Sequence, residues 1–283
     1  LLTAAAVLQR ERASLPGRVV LLFQPAEEGA GGANRVLGDG LLERFRPAAC
    51  GGLHLWSEAP TGQALITDGA FMASMDLFEI VVRGAGGHGA IPQSARDPIV
   101  AAAHLVTALQ TIASRSVDPL EAAVVTVGRF RAGEALNVIP DRAELGGTTR
   151  SFSRAVQDVV AARVRASAAG VSATFDVHYR RKTIPLVNSP RYAAIAREAA
   201  AAVPGITMGP ADFRTMGAED MAFILDRCPG AFIFIGAGNP AVGASYPHHH
   251  PQFEIDEAAL PLGVSYLCQY ALRTLRSLAV HGG

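Results

Sequence analysis

Strand and helix patterns follow one another in a defined order between residues 75 and 179 of the sequence. Each predicted helix opens on a residue that can cap it, either Asp97, which is followed by Pro98, or Ser153. The order β-α-β-β-α-β predicts a compact four-stranded sheet with two helices on one face. The six segments are 76–83, 97–112, 123–130, 143–149, 153–170 (ending at Gly170) and 173–179.

Apolar residues at helical spacing predict the buried faces of three helices. In the helix that starts at Asp97 they are Ile99, Val100, Ala103, Val106, Leu109 and Ile112. In the helix that starts at Ser153 they are Val156, Val159, Val160 and Val164. A closing helix from Asp256 to about Ala279 carries Leu260, Val264, Leu267, Ala271 and Leu275.

The segments on either side of this block predict a different α/β layer. Apolar runs at 19–24, 51–56 and 231–236 are typical of strands, and the first is expected to be an inner strand of the sheet. An Ala-rich helix is expected to start at Ser189-Pro190. We therefore predict one domain from residues 1–70 and 185–283, interrupted by a smaller domain over 71–184.

Two adjacent carboxylates, Glu27 and Glu28, follow the first apolar run. Like charges at the end of a buried strand are costly unless a cation or a proton neutralises them. The pair therefore favours a site in which one carboxylate binds a metal and the other moves protons. The alternative is a solvated acidic turn.

Histidines strengthen the metal hypothesis. His54 lies in the second apolar segment, and His248, His249 and His250 form a loop bounded by prolines. Imidazole together with carboxylate suits zinc, manganese or a similar divalent ion. A lone histidine is more often a core or surface residue, but three in one internal loop favour a binding role.

A glycine-rich stretch invites a different interpretation. Residues 84–89 fit G-x-G-x-x-G after a strand, as in dinucleotide-binding proteins. The helix that such a site needs does not follow at once, because Pro92 and the Asp97-Pro98 cap delay it. No acidic residue ends a second strand about 20 residues later, as that fold requires. We reject dinucleotide binding.

Seven short motifs together resemble the M20 metallopeptidases, in particular the D-subfamily amidohydrolases that include aminoacylases, hippurate hydrolases and indole-acetyl-amino-acid hydrolases. Their order and spacing agree along essentially the whole chain. The motifs occupy 22–29, 52–54, 86–88, 137–141, 147–150, 216–220 and 249–253. The resemblance implies a metallopeptidase-type α/β catalytic domain over 1–70 and 185–283, with an inserted ferredoxin-like lid and dimerisation domain over 71–184.

The resemblance also implies a metal-dependent hydrolase that cleaves the amide bond of N-acyl amino acids. Glu28, His54 and His249 resemble metal ligands, and Glu27 resembles the general base. Two divalent ions are implied for each active site of a full-length enzyme, zinc or manganese, with nickel or cobalt as alternatives. Asp220 is expected to cap the helix from Met221 or to orient a ligand.

The smaller domain is expected to carry three further functional residues. By resemblance His88 reaches the active site of the dimer partner, where it stabilises the oxyanion of the intermediate. Arg150 resembles the residue that binds the substrate carboxylate, and Asn137 is expected to add polar contacts. The alternatives are a surface histidine, a surface ion pair for Arg150 and a turn-forming Asn137.

One motif of the family is absent from this sequence. Family members carry Cys-Gly-His-Asp-Gly-His before the helix that leads to the Glu-Glu motif, whereas this sequence starts at Leu1, within the expected helix. The alternatives are therefore a truncated non-catalytic homologue that acts only through dimerisation, or another M20 enzyme such as a dipeptidase or carbamoylase. Cys50 is expected to be a small buried residue rather than a substitute ligand.

Composition excludes several classes of function. Lys and Arg number 25, as do Asp and Glu, so no basic excess favours nucleic acid or an anionic membrane. Three cysteines argue against a disulfide framework, and no apolar run reaches the length of a membrane span. We expect a cytoplasmic homodimer that acts on a small molecule.

Overall fold

The computed structural model describes residues 1–29, 31–167 and 174–281. The chain forms two compact units. The first unit comprises Leu1–Phe71, Leu186–Thr215 and Asp220–Gly283, and the second comprises Met72–Pro185 and Met216–Glu219.

The described residues form the following helices and strands. The α-helices are α1 (Leu2–Arg10), α2 (Gly32–Gly38), α3 (Leu41–Phe45), α4 (Pro98–Arg115), α5 (Arg154–Ser167), α6 (Pro190–Ala201), α7 (Ala222–Arg227) and α8 (Ala259–His281). The strands are β1 (Cys50–Pro60), β2 (Gln63–Leu65), β3 (Gly69–Met72), β4 (Met75–Arg83), β5 (Gly87–His88), β6 (Ala123–Ala132), β7 (Val138–Ile139), β8 (Arg142–Ser151), β9 (Thr174–Thr183), β10 (Leu186–Asn188), β11 (Thr207–Met208) and β12 (Gly230–Gly238).

The first unit is built on a mixed sheet with the strand order β1-β12-β2-β11. β1 and β12 are parallel, and β12 is buried along nearly its whole length. One face packs against α6 and α8, where Ile233 and Ile235 meet Ala196 and Tyr266 in a single apolar cluster. This cluster explains the Ala-rich composition of α6, since small side chains let the helix approach the sheet closely.

The opposite face of the same sheet is aromatic. Trp56 of β1 stacks on Phe234 of β12 with ring centroids 4.4 Å apart, and Phe71 lies 4.6 Å from Phe234. Because strand side chains alternate between faces, the residues two positions before Trp56 and Phe234 point to this side as well. His54 is one of them.

The inner strand expected at residues 19–24 is not formed. The segment makes no ladder among the described residues, and Val20 and Phe23 are 36% and 57% exposed. Leu22 is half-buried and packs against the small cluster formed by α2 and α7. An apolar run predicts a buried strand only where neighbouring strands supply hydrogen bonds and cover, and β1 pairs with β12 instead.

The second unit has the predicted element order. Its antiparallel sheet has the strand order β6-β8-β4-β9, and α4 and α5 pack on one face. β4 alternates strictly between buried and half-buried residues, so Phe78, Ile80 and Val82 enter the core. Asp97 caps α4 as predicted, since its carboxylate accepts hydrogen bonds from the first turn.

The buried faces of the helices differ in part from those predicted. In α4, Ile99 and Val100 are exposed, whereas Ala101, Ala102 and Leu105 join Leu109 and Ile112 in the core. In α5, Val159 is 39% exposed while its three predicted partners are buried. Alanines, which pack closely against the sheet, occupy part of the buried face of α4. A prediction based on the spacing of large apolar residues does not detect them. The predicted helix end at Gly170 and strand start at Ala173 lie outside the described residues.

The closing helix shows the same effect. α8 begins at Ala259, and its buried stripe lies one position before the predicted one. The stripe comprises Ala259, Gly263, Tyr266, Tyr270 and Thr274. Two tyrosines and a glycine form this face because Gly263 admits the Leu53 side chain of β1 and the tyrosine rings fill the space beside it. Among the described residues, no helix combines the length and the apolar character needed to cross a membrane.

Candidate metal centre

His54 lies in β1 on the face of the sheet that is opposite to α6 and α8. Its neighbours Leu53 and Leu55 pack on the helix side, so the alternation of the strand directs His54 to the other face. There the ring of Phe234 lies edge-on to the imidazole, with centroids 6.0 Å apart. The imidazole itself is exposed.

One hydrogen bond fixes the proton position on this imidazole. The Nδ1 atom of His54 lies 2.6 Å from the carbonyl oxygen of Leu55. A carbonyl can only accept, so Nδ1 carries the hydrogen and donates it. In a neutral ring this arrangement leaves the lone pair on Nε2, which is how protein scaffolds prepare a histidine to bind a metal.

A tight turn carries the two carboxylates that the sequence singled out. Ala26 has the left-handed φ of 55°, and α2 begins a few residues later at Gly32. A Cβ on Gly32 would lie 1.6 Å from the carbonyl oxygen of Pro25, so only glycine fits this position. The close approach holds the turn that presents Glu27 and Glu28.

Asp220 holds this turn through hydrogen bonds to residues on both sides of it. It is 2% exposed, and its carboxylate accepts hydrogen bonds from the Ala33 amide at 2.9 Å and from the Gln24 side chain. The prediction that Asp220 caps the helix from Met221 is therefore wrong, because its side chain binds the first turn of α2. Buried amide donors from a distant segment bind a carboxylate more favourably than a local cap that water can also satisfy. Sequence reasoning did not identify Gln24 and Ala33 as its partners.

The predicted metal and base residues of the first unit interact electrostatically. Burial raises the pKa of Glu27, and the negative charges of Asp220 and Glu28 raise that pKa further. His54 and His249 act in the opposite direction on the same carboxyl. Oxygen atoms of Glu27 and Asp220 lie within 4.8 Å of each other. The fold thus brings together charged and titratable residues from four segments that are distant in the sequence.

The three-histidine loop places each imidazole differently. His249 is exposed and has a left-handed φ of 65°. His250 stacks on Tyr246 with centroids 4.3 Å apart. His248 is half-buried, and its ring centroid lies 5.2 Å from that of His54. Burial lowers the pKa of His248, and the nearby His54 and His249 lower it further.

The second unit brings two of its three predicted residues together. His88 lies in β5, which pairs with β7, and the Gly89 amide next to it donates to the carbonyl oxygen of Asn137 at 2.8 Å. Both His88 and Asn137 are exposed, and Nδ1 of His88 accepts the Ala90 amide at 3.0 Å. The glycine-rich stretch runs into a short strand and a 3₁₀ turn rather than a helix, which agrees with the rejection of dinucleotide binding.

Arg150 lies on β8, where its guanidinium donates to the carbonyl oxygen of Met216 at 3.0 Å. Burial lowers the pKa of Arg150, but an arginine remains charged under all ordinary conditions. A half-buried guanidinium with one bond to a neutral carbonyl keeps further donors for an anion.

Cys50, which was expected to be a small buried residue, is half-buried and packs against the cluster formed by α2 and α7. Its thiol donates to the carbonyl oxygen of Cys228 at 3.1 Å. The hydrogen bond with the Cys228 thiol and burial both raise the pKa of Cys50. A metal ligand must be a thiolate, and this environment keeps the thiol protonated.

Comparison with known proteins identifies the family. Residues 1–273 match the description "Peptidase family M20/M25/M40". The chain belongs to this family. N-acetylcysteine deacetylase of Bacillus subtilis is 36% identical over 278 residues, which cover 97% of this chain and 71% of that protein. IAA-amino acid hydrolase ILR1-like 4 of Arabidopsis thaliana is 35% identical, with 98% of this chain and 64% of that protein covered.

Solved structures agree with the fold. The crystal structure of the Bacillus subtilis YxeP protein, described as a dinuclear metal binding peptidase from the M20 family, superposes with a TM-score of 0.77 at 34% identity. It covers 96% of this chain, which spans 69% of that protein. A second structure, from methicillin-resistant Staphylococcus aureus, gives a TM-score of 0.85 at 31% identity, with 96% of this chain and 70% of that chain covered. The resemblance drawn from the sequence motifs and the α/β fold class are both confirmed.

Proposed function

We propose that this chain carries a metal-dependent hydrolase activity that cleaves the amide bond of N-acyl amino acids. The observation that carries the proposal is the electrostatic cluster in which the charges of Glu28, His54 and His249 act on the half-buried carboxyl of Glu27. Relatives named as an N-acetylcysteine deacetylase and an IAA-amino acid hydrolase support the substrate class.

The donor set of this cluster fits divalent metal ions. We propose that Glu28, His54 and His249 hold the metal, because His54 keeps Nε2 free and a carboxylate with imidazoles suits zinc or manganese. Nickel and cobalt suit the same donors. The proposal includes two ions in each active site. When bound, such a centre lowers the pKa of a coordinated water and polarises the amide carbonyl.

Glu27 is the proposed general base. A carboxyl whose pKa is raised by burial and by neighbouring negative charges accepts a proton from water more readily than an ordinary surface glutamate. The same carboxyl then donates that proton to the leaving amine, so Glu27 acts first as base and then as acid. Asp220 supports this role by holding the turn and by raising the pKa of Glu27.

The second unit supplies the proposed substrate contacts. Arg150 would bind the substrate carboxylate through two parallel donors, and Asn137 would add a polar contact. His88 would donate a hydrogen bond to the oxyanion of the tetrahedral intermediate in the dimer partner. This part of the proposal therefore includes a homodimer formed through residues 71–184, and we propose a cytoplasmic location for it.

An assay of N-acetyl amino acid hydrolysis tests the proposal. The free amino acid that is released is measured with zinc or manganese present. A Glu27→Gln variant should lose turnover by a factor on the order of 10² to 10⁴ while its metal content stays unchanged. Glu11→Gln, at an exposed position of the same unit, is the matched control and should keep full activity. Normal turnover in Glu27→Gln would exclude the general-base role.

A further inference from the structure

His248 occupies a confined position next to His54. Its ring centroid lies 5.1 Å from that of Trp56 and 4.8 Å from that of Phe253. The rings of His248 and His54 meet edge to face, at 5.2 Å and an interplanar angle of 79°. Three rings around one imidazole leave it little freedom to rotate.

A strand amide fixes the imidazole further. The Ser57 amide donates to Nε2 of His248 at 3.2 Å. Ser57 is buried, and the register between β1 and β12 becomes irregular just after Trp56. The imidazole therefore supplies an acceptor where the ladder is interrupted. Because Nε2 accepts, the hydrogen of the neutral ring lies on Nδ1.

We propose that His248 is a positioning residue that holds the His54 imidazole in the orientation whose Nε2 is free for a metal. The edge-to-face contact restricts rotation of the His54 ring, so Nδ1 of His54 stays on the Leu55 carbonyl oxygen. Orientation of a ligating histidine by groups behind it is a general means of raising metal affinity. The inference rests on the proposed function in so far as His54 is a metal ligand.

The neighbouring histidine provides a matched control. His250 stacks on Tyr246, and its Nδ1 accepts the Gln252 amide at 3.1 Å. These contacts hold His250 within its own loop. Replacement of either histidine by leucine therefore removes one imidazole from the same loop, but only one replacement removes the contact with His54.

The experiment compares His248→Leu, His248→Gln and His250→Leu with the wild-type chain. Long-range ¹H–¹⁵N NMR on the metal-free protein reports which nitrogen of His54 carries the hydrogen, at a pH well above the ordinary imidazole pKa. Titration with zinc reports the affinity, and circular dichroism shows that each variant is folded. The glutamine variant keeps an acceptor for the Ser57 amide but lacks the imidazole edge.

We expect the wild type and His250→Leu to show His54 with its hydrogen on Nδ1. His248→Leu and His248→Gln should both show a mixture of the two His54 forms and a zinc affinity about 10- to 100-fold lower. An unchanged His54 spectrum in folded His248→Leu would overturn the inference. Full recovery in His248→Gln would also overturn it, since His248 would then serve only the Ser57 amide.

The two proposals can fail separately. If the wild-type chain binds no zinc, the proposed metal centre is wrong, and the NMR spectra still decide whether His248 orients His54. If zinc binds equally well to all four proteins, the metal centre stands and His248 has no positioning role.

Discussion

The buried polar network of the second unit allows a sharp stability prediction at Asp76. The side chain is 0% exposed, and its carboxylate accepts hydrogen bonds from Tyr179 at 2.9 Å and Gln157 at 2.8 Å. Each donor has a second partner, since the Tyr179 hydroxyl also bonds Thr149 and Gln157 also donates to the Thr183 carbonyl oxygen. We compare replacements by alanine and by asparagine.

Asp76→Ala removes the carboxylate oxygens, which also accept a hydrogen bond from the Lys182 amide, and leaves a small cavity. Each orphaned buried donor costs about 1–3 kcal/mol, but both keep one other partner, so we expect a loss of about 2–4 kcal/mol in the free energy of unfolding. Asp76→Asn should cost about 0–1 kcal/mol near neutral pH. The amide oxygen can accept from Gln157, and the amide NH₂ can donate to Tyr179 if that hydroxyl donates to Thr149.

The pH dependence follows from the sign of the pKa shift. Burial raises the pKa of Asp76 above its ordinary 3.8, against the lowering by its hydrogen bonds. The stability that protonated Asp76 contributes is complete below the unfolded-state pKa and is lost as pH rises through the higher folded-state pKa. Asp76→Asn abolishes this loss, so its unfolding free energy should vary less with pH over that window.

Urea unfolding followed by circular dichroism at several pH values measures these differences. Equal destabilisation of Asp76→Asn and Asp76→Ala near neutral pH would contradict the prediction. The same pH dependence of the unfolding free energy in the wild type and in Asp76→Asn would also contradict it.

Two further predictions concern the substrate and the strand packing. Arg150→Lys should raise KM for N-acetyl amino acids on the order of tenfold to hundredfold, because lysine cannot offer two parallel donors; an unchanged KM in steady-state assays would exclude Arg150 as the carboxylate-binding residue. Gly230→Ala places a Cβ 2.1 Å from the Cys50 carbonyl oxygen and should destabilise the protein by about 1–3 kcal/mol, measured by thermal unfolding. Gly128→Ala has nothing within 4 Å of its Cβ and should change the stability by less than about 0.5 kcal/mol; equal shifts in the two variants would contradict the packing argument.

Local sequence patterns predicted much of the fold because neighbouring residues determine it. The strand alternation of β4 and the Asp97-Pro98 cap are examples, and both are present in the structure. The strand expected at 19–24 shows the limit, since apolar character does not reveal whether a partner strand lies alongside. The stripe of α8 was displaced because its face is formed by Tyr266 and Tyr270 rather than by leucines.

The candidate site was predictable where residue type alone indicates chemistry. Carboxylates and imidazoles such as Glu27 and His54 stand out in a sequence for that reason. The partners of Asp220 and the contacts of His248 with β1 could not be predicted, because both depend on which segments fold next to each other. Loop residues follow no periodicity, so no sequence pattern predicts that the His248 ring lies against β1.

Metal content of the wild-type chain tests whether Glu28 and His54 hold a metal ion. The chain is dialysed against zinc or manganese and then against metal-free buffer, and elemental analysis is compared with that of a Glu28→Gln, His54→Ala double variant. We expect at least one ion held per wild-type chain and its loss in the folded double variant. An equal metal content in the two proteins, or no ion retained by the wild type, would contradict it.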